Sequence, residues 1–268
     1  MNLKLTAPEL SLLGVGAVLL LLALAGPVIT QPSDYHHFAD QRSWLGLPFA
    51  TDVLSNLPFA LWGALGLHQL GSRPPQRLGT SQHGTARLFF AGLVLTAVCS
   101  SWYHWQPDDA GLVVDRLGMV VAFAGLLGLA AAGRISARAG TALALAVLAL
   151  GPLSVAAWAQ SGNLMPWVAL QLGGMAMVLW LASRAPLAGA LPVRWGAVIL
   201  IYALAKLFEQ GDHQVYELLG HAISGHSLKH LLASLAAWPV CAAMCAPQHH
   251  LAGQATGRTA PHSRHRLS

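Results

Sequence analysis

Charged side chains are what this 268-residue sequence has least of: 15 basic and 10 acidic residues, 9 % of the chain, against roughly 25 % in an ordinary soluble domain. So few charges cannot cover a water-exposed surface. That excludes most soluble classes, a soluble redox enzyme among them. Cysteine is scarce too: Cys99, Cys241 and Cys245 lie in or beside apolar stretches, which leaves no disulfide framework. The net charge of +5 is scattered over short segments without an aromatic–basic groove, so nucleic acid is not an expected partner. Anionic lipid headgroups suit such scattered charge better. No internal repeat is visible, and an inverted-repeat transporter gains no support.

What the sequence has in quantity is apolar length, with 55 % hydrophobic residues. Eight stretches of about 20 residues qualify as membrane spans, at about 10–29, 53–71, 87–105, 112–132, 139–158, 164–182, 193–209 and 227–246. The expected fold is all-α: a polytopic membrane helix bundle forming a single domain over 1–246, followed by a disordered cytoplasmic tail over 247–268. The first stretch reads as a retained helix, because Glu9 joins Lys4 before it and no small-x-small cleavage site follows. The seventh is interrupted by Lys206 and Glu209, which suits a water-lined or re-entrant element, or an ion pair between residues three apart. Residues 72–86, with Pro74-Pro75, read as a solvated loop. Trp44, Trp102, Trp105, Trp158 and Trp167 are expected to form an aromatic belt.

Basic residues sort between alternate loops. Lys4, Arg73, Arg77, Arg87, Arg134, Arg138, Arg184, Arg194, Arg258, Arg264 and Arg266 fall on one side, with Glu9 the sole acid there. The other side holds Asp34, Asp40, Asp52, Asp108, Asp109, Asp115, Asp212 and Glu217, with Glu209 at its edge and few basic counterparts. By the positive-inside rule both termini are cytoplasmic and the acidic loops face outward. The alternation requires an even number of spans. An integral protein of a bacterial inner membrane fits this bias.

Several polar residues should meet at the outward level. His226 and His230, four apart, share one helical face, where two imidazoles can reach one Zn²⁺. His104 ends an apolar helix at the same depth, and three imidazoles with an open position make a catalytic zinc pattern. Paired histidines at an interface are the alternative. Ser100 sits one turn before His104 and serves either helix packing or an oxyanion. Asp115 is a carboxylate inside an apolar helix, open to three roles: proton acceptor, partner of a ligand imidazole, or ligand. An ion pair with Arg116 is a weaker explanation, since adjacent helical residues diverge by about 100°. His221 lies in a turn between Gly220 and Gly225, as a candidate fourth ligand or substrate-edge residue. Asp212, His213 and Glu217 read as solvated loop residues.

Ser100 and His104, then Asp115, then the late His226-x-x-x-His230 resemble the pattern of the alkaline ceramidase family and its wider superfamily of seven-helix membrane hydrolases and receptors. Asp52-Val53-Leu54-Ser55-Asn56 resembles the polar opening of that family's first core helix. The match covers about residues 49 to 245 and implies a seven-helix core, with the first span as an amino-terminal addition. The resemblance further implies zinc held by His104, His226 and His230, an oxyanion role for Ser100 and water activation by Asp115. The implied activity is zinc-dependent hydrolysis of a ceramide-like lipid amide, the lipid arriving from the bilayer. A zinc-containing seven-helix receptor or sensor without turnover is the alternative. The sequence departs from the family at its calcium site: Asp34, Asp40 and Asp52 could supply oxygens, but the segment Asp34 to Trp44 contains His36 and His37, poor calcium ligands, and Phe49 stands where a glutamate would be expected, which puts Ca²⁺ in doubt.

Overall fold

Helix starts follow local capping chemistry. Thr6 and Glu9 form a reciprocal capping box at the start of α1 (Ala7–Ala25). Asp108 caps α5 (Asp109–Arg134), Ser136 caps α6 (Ala137–Ser161) and Ser224 caps α10 (Gly225–Leu235), each accepting a backbone N–H of the first turn. The computed structural model describes residues 4–72 and 78–245. Its remaining helices are α2 (Ala50–Leu54), α3 (Leu57–Gly71), α4 (Thr80–Trp105), α7 (Met165–Ala182), α8 (Trp195–Gln210), α9 (Asp212–Leu218) and α11 (Trp238–Cys245). Among the described residues the only β pairing is two isolated bridges. The tail over 247–268 lies outside the described residues.

The chain is an all-α polytopic membrane helix bundle. Six helical segments among the described residues are long and apolar enough to cross a membrane: α1, α4, α5, α6, α7 and the α10–α11 segment Gly225–Cys245. Two of the eight expected spans fall short. With 15 and 16 residues, α3 and α8 rise about 22–24 Å, less than a hydrocarbon core of about 30 Å. The expected loop over 72–86 is also shorter, because α4 begins at Thr80; residues 73–77 lie outside the described residues.

The centre of the bundle is the antiparallel pair α4–α5, flanked by α3 and α6. Glycine sets their distance. A Cβ on Gly92 would come within 2.3 Å of the Ala122 backbone nitrogen, and one on Gly125 within 2.1 Å of that of Phe89. The two backbones therefore touch, as small residues permit in membranes. α10 packs on α8 and α3, while α1 rests against α7 at the edge. Glu9 on α1 accepts from Arg138 at 2.6 Å and from Ser136 at 2.7 Å, fastening α1 to the start of α6.

The aromatic belt needs correction. Trp44, Trp102 and Trp105 are exposed, but Trp158 and Trp167 are buried. Their rings lie against the Arg116 guanidinium, 4.0 and 5.5 Å from its carbon. A cation among aromatic faces brings them inward.

Candidate metal centre

One helix end and one helix start deliver the site. His104 sits in the last turn of α4 and is fully buried. His226 and His230 occupy successive turns at the start of α10, both buried. That start is held by two carboxylates. Asp212 accepts the His226 N–H at 2.8 Å, and Asp52 accepts the Ser227 hydroxyl at 2.6 Å. Both are favourably placed at the positive end of a helix dipole. Gly225 permits the close approach: a Cβ there would meet the Phe208 carbonyl oxygen at 2.4 Å and Asp212 Cα at 2.8 Å.

The three imidazoles form a nearly equilateral cluster, each pair of ring centroids 4.8 Å apart. One ring nitrogen from each lies within 4.8 Å of the other two, the only such metal-competent group among the described residues. His104 Nε2 and His226 Nε2 are 3.3 Å apart. Ligand nitrogens about 2.0–2.1 Å from a tetrahedral zinc are separated by about 3.3–3.4 Å, the same spacing.

The tautomer of His230 follows from its neighbours. The Ser55 hydroxyl donates its single hydrogen to the Asp52 carbonyl at 2.9 Å. At 2.8 Å from His230 Nδ1 it is then placed to accept, which assigns the proton to Nδ1. The lone pair is then on Nε2, which is buried and has no hydrogen-bond partner. An unpartnered acceptor facing two further imidazoles is what a cation would satisfy. The residues fit a divalent transition metal, and an all-imidazole donor set suits zinc, copper, iron or nickel.

A scan against protein-family models finds no match to the chain, and no curated protein matches it in sequence.

Beside the cluster lies a cavity of about 140 Å³, whose walls come largely from α4, α5, α7, α8 and α10. Ser100, Asp115, His226 and His230 all line it. The Ser100 hydroxyl approaches the Asp115 carboxylate, and Asp115 Oδ1 is buried without a partner. The lining continues along α5 from Leu112 to Leu127, about 22 Å of helix, and is apolar beyond Met119 on that helix. Arg116 does not pair with Asp115; it donates to Gln31 Oε1 at 2.6 Å. Lys206 bonds Glu209, and Lys229 stands 3.5 Å from the same carboxylate, so the expected ion pair is a three-residue group.

Other sequence-predicted residues lie elsewhere. His221 is outside the cluster: it pairs with Glu217 at 3.1 Å and packs on Tyr216. Its positive φ of 62° follows that of Gly220 in a tight turn. Asp212 is buried rather than solvated. Its second oxygen accepts the Ala39 N–H at 3.0 Å, tying α9 to the loop between α1 and α2. Asp40 in that loop accepts from Arg42 at 2.7 and 2.8 Å and from Thr51 at 2.6 Å. Burial alone would raise its carboxyl, but these bonds outweigh it and hold the group below its ordinary 3.8.

Sequence reasoning missed Phe38. Its ring lies 4.8 Å from that of His104 and 4.4 Å from that of His226, covering the cluster from the loop side. Nothing in the sequence singles out one phenylalanine in a polar loop. The tautomer-setting role of Ser55 was equally hidden, although Asp52, Ser55 and Asn56 stood out as polar at a helix start.

Proposed function

We propose that the protein is a zinc-dependent intramembrane hydrolase of a lipid amide, releasing a fatty acid and an amine. One observation carries this: the His230 nitrogen without a partner, in a three-imidazole cluster, beside a buried carboxylate at the head of an apolar cavity. His104, His226 and His230 would hold the ion. When bound, it supplies Lewis acidity, polarising the amide carbonyl and making a water a stronger acid. Asp115 accepts the proton of the attacking water and later gives it to the leaving amine. Ser100, whose hydroxyl faces Asp115, turns to donate to the carbonyl oxygen as negative charge develops there. The acyl chain lies along the apolar wall of α5, the lipid arriving from the bilayer.

The resemblance to the alkaline ceramidase pattern supports an amide over an ester and supplies ceramide as the model substrate. It also favours a seven-helix core from about residue 49, with α3 and α8 as short spans and α1 added. On that reading both termini are cytoplasmic and the zinc site faces the outer side of a bacterial inner membrane. A receptor of the same architecture would bind the lipid and release nothing. The test is incubation of detergent-purified protein with long-chain lipid amides, with fatty acid and amine both quantified. Release is expected from the wild type, and Asp115→Asn should slow it about 10²–10⁴-fold with metal content unchanged. Tight binding without product would overturn the hydrolase reading.

A further inference from the structure

Arg116 is a buried cation that the reaction above does not use. Its side chain is 3 % exposed, and no carboxylate among the described residues lies within ion-pair distance of it. Its guanidinium face is occupied by Trp158 at 4.0 Å, with Trp167 at 5.5 Å and Tyr35 at 6.0 Å. One edge donates from Nη2 to Gln31. The Tyr35 hydroxyl also approaches the guanidinium, but the other terminal nitrogen, Nη1, is buried and makes no hydrogen bond of normal geometry. Arg116 lines the same cavity as Asp115 and the two α10 histidines.

Stacking on aromatic faces leaves only in-plane N–H donors for a ligand, and that planar edge matches a carboxylate. Charge agrees. The cavity lining holds Arg116, Lys206 and Lys229 against Asp115 and Glu209, an excess of one positive charge before any metal is counted. Position agrees as well. Arg116 adjoins Asp115 near the start of α5, at the polar end of the cavity, whereas the apolar wall runs the other way towards Leu127. With the acyl chain along that wall, the amine half of the substrate lies beside Arg116.

We infer that the amine half of the substrate carries a carboxylate, which Arg116 binds: the substrate class is an N-acyl amino acid. This rests on the lipid-amide reading for the identity of the amide, but the recognition of the anion is independent of turnover. Arg116 is a substrate-binding residue and takes no proton.

The test is equilibrium binding to the full-length protein in detergent after chelator treatment, so that no hydrolysis intervenes. The probes are N-palmitoylglycine, the uncharged N-palmitoylethanolamide and the phosphate-bearing N-palmitoyl-phosphoethanolamine. Each probe is used with a brominated acyl chain, and quenching of the protein's tryptophan fluorescence, to which the cavity-lining Trp167 contributes, gives the readout. The wild type should bind the carboxylate amide at least about tenfold more tightly than the uncharged one, the scale of a charge-assisted hydrogen bond. Arg116→Gln should remove that preference while leaving the uncharged amide bound as before, and Arg116→Lys should restore part of it. Equal wild-type affinity for the charged and uncharged amides overturns the inference, whether or not either variant folds. Tighter binding of the phosphate-bearing amide overturns the assignment to a carboxylate. If carboxylate preference is found and no amide is hydrolysed after zinc is restored, the recognition stands and the hydrolase reading fails.

Discussion

At the scale of single residues, the site depends on where one hydrogen sits. With the Ser55 hydroxyl donating to the Asp52 carbonyl, the His230 proton is assigned to Nδ1. This is how a hydrogen bond on one ring nitrogen prepares the other as a ligand. Ser55→Ala should weaken zinc retention by about tenfold, the lower end of the usual range for such partners, because the Asp52 carbonyl remains near the ring. Competition with a chromophoric chelator measures it, and unchanged retention would remove Ser55 from the site. The histidines themselves were legible in the sequence: a spacing of four, and a histidine ending an apolar helix at the same depth, carry geometric information. Asp212 was not, since nothing in a segment fourteen residues before His226 marks a carboxylate that will cap the helix.

Individual elements owe their placement to contacts between backbones. Where α4 meets α5, Gly92 and Gly125 leave no room for a methyl group against the facing main chain. Gly125→Ala should force the pair apart at a cost of about 1–3 kcal/mol, read as a lowered melting temperature in detergent. Gly14→Ala, on the open face of α1, is the control and should change little; equal melting of the two variants would contradict the close packing. The loop between α1 and α2 makes a different prediction. Asp40 is held below its ordinary 3.8 in the folded protein, so its contribution to stability is complete above that value and lost as pH falls through the folded value. Arg42, which bonds Asp40, also donates to the Ala222 carbonyl in the turn before α10. Losing this link frees the loop that carries Phe38 over the imidazoles. Between about pH 5 and pH 2, the wild-type melting temperature should fall more steeply than that of Asp40→Asn. Parallel curves would show that Asp40 contributes nothing there.

On the scale of the whole molecule, composition and apolar length gave the class correctly: an all-α membrane bundle follows from the paucity of charge. The span count did not follow as cleanly. Hydropathy matched the ends of α3 at Gly71 and α8 at Gln210, but it counts apolar residues and cannot see the break at Ser55–Asn56 between α2 and α3, or that α8 begins only at Trp195. The buried positions of Trp158 and Trp167 were hidden for a related reason. A tryptophan at the end of an apolar stretch looks like a headgroup anchor until its cationic neighbour, Arg116, is placed beside it. Distant parts of the chain become a site only because α4 and α10 end and begin at one level, under the loop held by Asp40 and Asp212. The central claim is that this convergence holds one metal ion. Metal analysis with X-ray absorption of the detergent-purified protein tests it most directly. The expected result is one zinc per chain, with nitrogen ligands at about 2.0–2.1 Å, lost in both His104→Ala and His230→Ala. Protein purified without chelator that carries no stoichiometric metal, or zinc that survives both substitutions, would contradict it.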